Sequence, residues 1–515
     1  MTNAFGDNTS FNLADQFVDR HIREGRAEKV AIRCGNLAWT YGEVAADVNR
    51  VGSSLLSLGL QEEQRVMLCL PDSQEFVAAY FGAMKIGAVA VPTSTAARTS
   101  DYEYFLAESR ARILVVHSNF FPEIAPALTA QHYLRHVIVV GQIQTGHLHW
   151  ENLLAAGSSE LDAARTSGDD VAFWLWTSGS TGRPKAAVHL HRDWVSCCRD
   201  YGGGVLGIGS DDITFSSSKL FHAYGLGNGL MFPFYAGASS VLFPGKAQAQ
   251  VVLENAQTFR PTLFFSVPTL YALMLQEAER HAYRLDSIRL AVSAAESLPA
   301  EIFRRWYDKF GIEILDGVGS TEALHIYLSA RRGRVKPGST GTPVPGYAVR
   351  IVDSEGNETP VGMIGDLLVA GDSIAPCYWK RPELTSERMA GKWFFTGDKY
   401  RMDEDGYFWY AGRSDDMFRV SGQWVSPAEV ESTLIEHTAV LEAAVVAYRE
   451  STELCTPKAF VVLRRGIVAS AELARELQNF VKMRIAPHKY PRRIVFLNEL
   501  PKTAAGKLLR YKLRE

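Results

Sequence analysis

Nine residues, Thr177–Lys185 (TSGSTGRPK), gather four hydroxyls, two glycines and a lysine directly after the apolar run Val171–Trp176 (VAFWLW). Gly179 and Gly182 let the backbone take positive φ, so that successive N–H groups can turn toward one anion. The hydroxyls of Thr177, Ser178, Ser180 and Thr181 add donors, and Lys185 adds a charge. This is the equipment of a phosphate cradle. It is not the GxxxxGK[ST] loop of kinase-like NTPases, because the order here is Gly-Arg-Pro-Lys. Pro184 also lacks the N–H that a phosphate-capping helix would need in its first turn.

The cradle follows a strand, and the chain supplies many more. RVMLCLP, GAVAVP, RILVVHS, HVIVVG, SSVLF, TLFFSVP, RLAVSAA and IEILDG are short apolar runs closed by Gly, Pro, Ser or a turn. Runs of this kind read as strands buried on both faces. Amphipathic stretches such as SQEFVAAYFGAMKIG and PAEIFRRWYDKFG lie between them, which predicts α/β layering with largely parallel sheets. With 515 residues the chain is too long for one compact unit. Composition shifts at YAGRSDD (Tyr410–Asp416). We expect a large N-terminal domain over 1–412 and a small α+β domain over 413–515. From Val481 to Glu515 ten Lys/Arg face two acids, Glu499 and Glu515. Such a tail is either a solvated basic face or a mobile cap whose cations meet an anion held by the larger domain.

Composition excludes several classes. A net charge of −3 gives no general electrostatic reason to bind nucleic acid or an anionic membrane. No apolar run reaches the ~18 residues of a membrane span. The N-terminus lacks the basic-then-apolar layout of a secretory signal. The six cysteines are scattered without zinc-type spacing, so reduced thiols and a cytoplasmic protein are the expectation.

Thr177–Lys185 resembles the signature loop of the adenylate-forming superfamily of acyl- and aryl-CoA synthetases, luciferases and peptide-synthetase adenylation domains. Four further motifs follow in order. DGVGSTE (Asp316–Glu322) resembles the second nucleotide motif, which implies that Thr321 meets the α-phosphate and Glu322 helps hold Mg²⁺. The same motif and SAAESLP imply Asp316, Gly317, Val318, Ala295 and Glu296 around the nucleotide. FTGDK implies Asp398 on the ribose hydroxyls, and YAGRSDDMFRVSG implies Arg413 near the ribose with Asp415 as hinge. PKTAAGK (Pro501–Lys507) resembles the motif of the catalytic lysine, here Lys507. Thr177–Gly182 and Lys185 are then the pyrophosphate cradle, and Lys185, Thr321, Glu322 and Lys507 the catalytic set.

Within the superfamily the chain is most similar to benzoate-type CoA ligases, through KLFHAYGLGNGL, DGVGSTEALHIYLS, GTPVPGY and VSGQWVSPAEVE. This implies an aryl pocket of Ala223, Tyr224, Gly319, His325 and Ile326, with the small aliphatic Val318 at the adenine. Three positions depart from the pattern: Ala186 and Ala295 stand where glycine is usual, and His222 where phenylalanine is expected. His222 is either a substrate contact or a gate to the pantetheine tunnel.

The resemblance implies an AMP-forming ligase. ATP would activate an aromatic carboxylate to an aryl-adenylate, Mg²⁺ would assist, and coenzyme A would take the acyl group. Lys489, Arg492 and Arg493 favour CoA phosphates. The alternatives are loading of a carrier-protein thiol, a medium-chain acyl-CoA synthetase, and a nucleotide-binding sensor without catalysis. Partners are small molecules, with no nucleic acid and no membrane span; a homodimer is admitted but not fixed by the sequence.

Overall fold

A computed structural model describes residues 10–177, 183–420, 423–449, 455–502 and 508–514. Every apolar run named above is a strand, and the two sheets they build form the large unit. In the first sheet the parallel strands Val89–Pro92, Arg65–Cys69, Ile113–His117 and His136–Val140 lie side by side. Val171–Thr177 joins them at Val89–Pro92, and Lys185–Leu190 returns antiparallel along it. The second sheet runs parallel through Val30–Cys34, Ser239–Val241, Ile213–Ser216, Leu263–Ser266, Leu290–Ser293 and Ile314–Gly319. Val89–Pro92, Leu263–Ser266 and Leu290–Ser293 are buried at every residue. Helices on both faces of a parallel sheet produce that pattern.

Local signals fix the helix ends. Ser73 caps Gln74–Lys85 by accepting from the Phe76 N–H, and Thr40 forms a reciprocal capping box with Glu43 ahead of Tyr41–Ser57. Helix Ala300–Phe310 stops at Gly311, whose φ of 69° gives the left-handed turn that glycine adopts at little cost.

A third sheet is antiparallel throughout, built from Ala348–Val352, Gly365–Ala370, Trp393–Met402, Met389–Ala390 and Phe408–Arg413. It leads into the small unit, a hairpin (Phe418–Val420 with Gln423–Val425) and a three-stranded sheet of Val440–Arg449, Cys455–Leu463 and Arg493–Leu497. Helices Pro427–Ile435 and Ala471–Arg484 complete this α+β fold, with Val430, Leu434, Leu477 and Val481 in its core. Ile435 and Leu441 of the small unit pack against the large-unit core around Tyr271 and Trp306. No helix among the described residues is long and apolar enough to cross a membrane.

Candidate active site

A cleft of about 270 Å³ opens where the small unit meets the large one. Its large-unit wall includes Ala295, Glu296, Asp316, Gly317, Val318, Gly319, Asp398 and Arg413. Seven positions assigned from the sequence to the nucleotide therefore share one cavity with Gly319, expected at the ring. The topology explains why. Leu290–Ser293 and Ile314–Gly319 are parallel neighbours, so the turn after one and the end of the other open at the same sheet edge. Asp398 is paired across the third sheet with Arg413, whose guanidinium donates to its carboxylate at 3.0 Å. Burial works against the Arg413 charge, but Asp398 beside it prevails and its pKa stands above the usual value. Asp316 is buried with Oδ1 unpartnered among the described residues, and burial holds its carboxyl well above the usual carboxylate range.

Thr321 and Glu322 sit on the turn that follows. Glu322 is 6% exposed, and one of its oxygens accepts from the Tyr378 hydroxyl at 2.6 Å. Lys185 stands over the Tyr378 ring, 4.3 Å from its centroid, with its pKa lowered by burial and partly restored by Glu322. Tyr378 thus links the end of the cradle to the second motif. His189, fully buried, presents one ring nitrogen to the Asp193 carboxylate at 3.0 Å and the other to the Thr321 carbonyl at 2.9 Å. Neither residue was legible as a site member. Tyr378 lies far along the chain in a segment without chemistry of its own, and His189 stands in the apolar strand Lys185–Leu190, where a lone histidine gives no sign of its partners.

Thr177 ends its strand opposite Lys185. Ser178, Gly179, Ser180, Thr181, Gly182 and Lys507 lie outside the described residues. Asp415 is exposed just beyond the third sheet, 3.9 Å from Arg413.

The residues expected at the aryl ring are brought together beside the cleft. His222 precedes the short helix Ala223–Leu226, which delivers Ala223 and Tyr224. The Tyr224 hydroxyl donates to the Ser266 and Val292 carbonyls at 3.1 and 3.2 Å, which fixes its ring 5.3 Å from that of His325. Gly319 pairs with Ile326, and a Cβ at Gly319 would stand 2.3 Å from the His325 carbonyl oxygen. Only glycine allows that approach. His325 Nε2 meets Asn228 Oδ1 at 3.0 Å, while His325 Nδ1, Asn228 Nδ2 and His222 Nε2 are buried without partners among the described residues. Burial lowers His222 to about 4 and His325 to about 3, so both rings are neutral near pH 7. The His222 ring packs on Phe221, with centroids 4.4 Å apart.

Of the cations read as a CoA face, Lys489 is held by Glu429 at 2.6 and 2.9 Å, and Arg492 and Arg493 lie over Tyr490 and Tyr448.

Comparison with known proteins accounts for this geometry. The family model for AMP-binding enzymes matches residues 18–379, and that for the AMP-binding enzyme C-terminal domain matches residues 429–507. The chain belongs to the AMP-binding enzymes. It is 46% identical to the benzoate–CoA ligase of Thauera aromatica over 98% of its own length and 96% of that protein. It is 42% identical to the 4-hydroxybenzoate–CoA/benzoate–CoA ligase of Rhodopseudomonas palustris, over 98% of this chain and 94% of that one. A crystal structure of an anthranilate CoA ligase in complex with anthranoyl-AMP superposes with a TM-score of 0.95 at 41% identity, covering 98% of this chain and 97% of that one. By class this AMP-binding enzyme is an acid–thiol ligase.

Proposed function

We propose that this enzyme joins benzoate, or a hydroxy- or aminobenzoate, to AMP at the expense of ATP and then passes the aroyl group to coenzyme A. The observation that carries the reading is the double use of strand Ile314–Gly319. Its Gly317, Val318 and Gly319 line the cleft, while Ile326 on its antiparallel partner and the preceding His325 stand with Tyr224 beside it. One strand end therefore brings a nucleotide and a flat ring to the same place. The relatives named for benzoate, hydroxybenzoate and anthranilate support the ring.

A carboxylate is a poor electrophile, and esterification to AMP gives it a leaving group. The purine would lie between Ala295–Glu296 and Gly317–Val318, and the ribose hydroxyls on Asp398, itself held by Arg413. Thr177–Lys185 would cradle the pyrophosphate and Thr321 the α-phosphate. Lys507 would stand between carboxylate and α-phosphate, where negative charge builds as they join. No side-chain nucleophile is required. Glu322 fits a magnesium ion: it is a buried carboxylate that no described lysine or arginine pairs with, and Mg²⁺ commonly takes one protein carboxylate beside substrate phosphates. When bound, that ion would neutralise charge on the phosphates. The thiol step needs a different wall, and rotation of the small unit about Asp415 would supply it. A cytoplasmic location, where ATP and coenzyme A are both available, would suit these substrates.

His325 Nδ1, Asn228 Nδ2 and His222 Nε2 support a polar ring, because an unmatched buried polar atom costs about 1–3 kcal/mol and a ring hydroxyl or amine can recover part of it. The test is kcat/KM for benzoate, its hydroxy and amino derivatives and octanoate, read as ATP- and CoA-dependent AMP release with the thioester identified by chromatography. We expect the polar benzoates to equal or exceed benzoate. Octanoate winning by about tenfold, a 1.4 kcal/mol preference, would remove the aryl pocket; benzoate winning over every polar analogue would remove only the substituent. AMP release without a CoA thioester would point to a carrier-protein thiol.

A further inference from the structure

One polar chain crosses from the small unit to the large one inside the cleft. Lys502, at the start of the PKTAAGK motif, donates to the Thr269 hydroxyl at 3.2 Å. Thr269 Oγ1 in turn donates to Glu296 Oε2 at 3.1 Å. The same ammonium donates to Glu442 Oε2 at 2.6 Å, within the small unit. Thr269 and Glu296 both belong to the large unit, on the helix Pro268–Ala278 and on the turn after Leu290–Ser293. A single hydroxyl thus accepts from one side and donates to the other, so its loss breaks both contacts at once.

Lys502 is also paired with Leu508, and the Leu509 N–H donates to the Pro501 carbonyl at 2.8 Å. These pairs hold Lys502 to Leu508, so whatever fixes Lys502 also fixes the chain at Leu508, the residue that follows Lys507 in the sequence.

We propose that Lys502, Thr269 and Glu296 form a latch of positioning residues that docks the small unit for adenylation and is released for the thiol step. The inference rests on the activity proposed above. Two features suit a contact that opens every cycle. Glu442 travels with Lys502, so undocking does not strand the ammonium. Glu296 lies at the cleft, so opening exposes its carboxylate to water. Neither half is left as a buried unpaired charge, the usual large cost of breaking a buried ion pair. The apolar contact of Ile435 and Leu441 with the large unit supplies undirected adhesion, and the latch supplies the orientation.

The experiment separates the half-reactions of the full-length enzyme. Adenylation is followed as carboxylate-dependent ATP–pyrophosphate exchange, using the acid that wild type turns over best in the substrate panel. Thioesterification is followed from the matching preformed acyl-adenylate and CoA. Thr269→Val and Lys502→Gln are each expected to slow adenylation about tenfold, as loss of a charge-assisted hydrogen bond does, while thioesterification stays within about twofold. The double variant is expected to be no slower than the slower single one, because both substitutions break the same Lys502–Thr269 contact. Lys507→Ala provides the reference, with the same selectivity and a larger loss. Equal loss of both half-reactions, no loss of either, or losses that multiply in the double variant would each overturn the latch. Wild type rejecting every aromatic acid while the variants still lose adenylation selectively would overturn only the substrate.

Discussion

Replacing Ala295 by glycine should stabilise the protein and weaken its hold on ATP. Ala295 has a φ of 75°, the left-handed region, and its side chain is exposed to the cleft. A Cβ in that region costs roughly 1–2 kcal/mol. Glycine removes that strain but gives back about 0.5–1 kcal/mol through the greater freedom of its unfolded chain. An exposed methyl adds little packing, so the difference leaves a net gain of about 0.75 kcal/mol. The same methyl faces the proposed purine. Covering one CH₂-sized group is worth about 0.8 kcal/mol, so the KM for ATP should rise roughly fourfold. Reversible denaturant titration at unchanged slope measures the first quantity, and pyrophosphate exchange over an ATP series the second. A variant less stable than wild type would refute the strain argument. A more stable variant with an unchanged KM would keep the strain and dismiss the purine contact.

Asp316→Asn should stabilise the enzyme increasingly as pH rises. Burial raises the Asp316 pKa, so the native state loses stability as pH climbs from the ordinary carboxylate range toward that raised value. The advantage of asparagine should grow by about 1 kcal/mol or more between pH 4.5 and 8, and a difference independent of pH would count against the assignment. The buried histidines work in the opposite sense. His21, His191 and His222 are lowered to about 4 and His325 to about 3, burial leading in each case. The unfolded chain binds protons that the native state refuses, so stability should fall as pH drops from 6.5 toward 4, by about 1.4 kcal/mol per pH unit for each. His191→Gln should flatten that slope in urea titrations; an unaltered slope would show that His191 titrates normally in the fold.

Much of the fold was legible because its strands are buried on both faces and its helices carry their own end signals. GAVAVP and TLFFSVP are continuous apolar runs that only a covered parallel sheet accommodates, and both are strands, Val89–Pro92 and Leu263–Ser266. The antiparallel third sheet is not legible in this way. Trp393–Met402 alternates in burial along its length, as a sheet wet on one side does, and its polar positions hide it from a search for apolar runs. The nucleotide positions were legible because they cluster in short motifs at strand ends. Tyr378 was not, because its importance is the 2.6 Å bond to Glu322 across 56 residues of chain, a relation that only the folded sheet order creates.

The same distinction explains why Lys502 passed as a member of a motif while its role did not. Within PKTAAGK it is one of two lysines, and the resemblance singles out the second. What distinguishes the first is the acceptor it finds, a threonine hydroxyl 233 residues away on the other unit. Thr269 follows Pro268 at the start of a helix, where a hydroxyl commonly satisfies its own backbone. Here the hydroxyl turns outward, joining an ammonium from one unit to a carboxylate of the other. Half-reaction selectivity therefore depends on a residue that belongs to neither the nucleotide motifs nor the ring pocket. A search confined to chemically conspicuous side chains will miss such residues wherever two units must meet in one orientation for one step and part for the next.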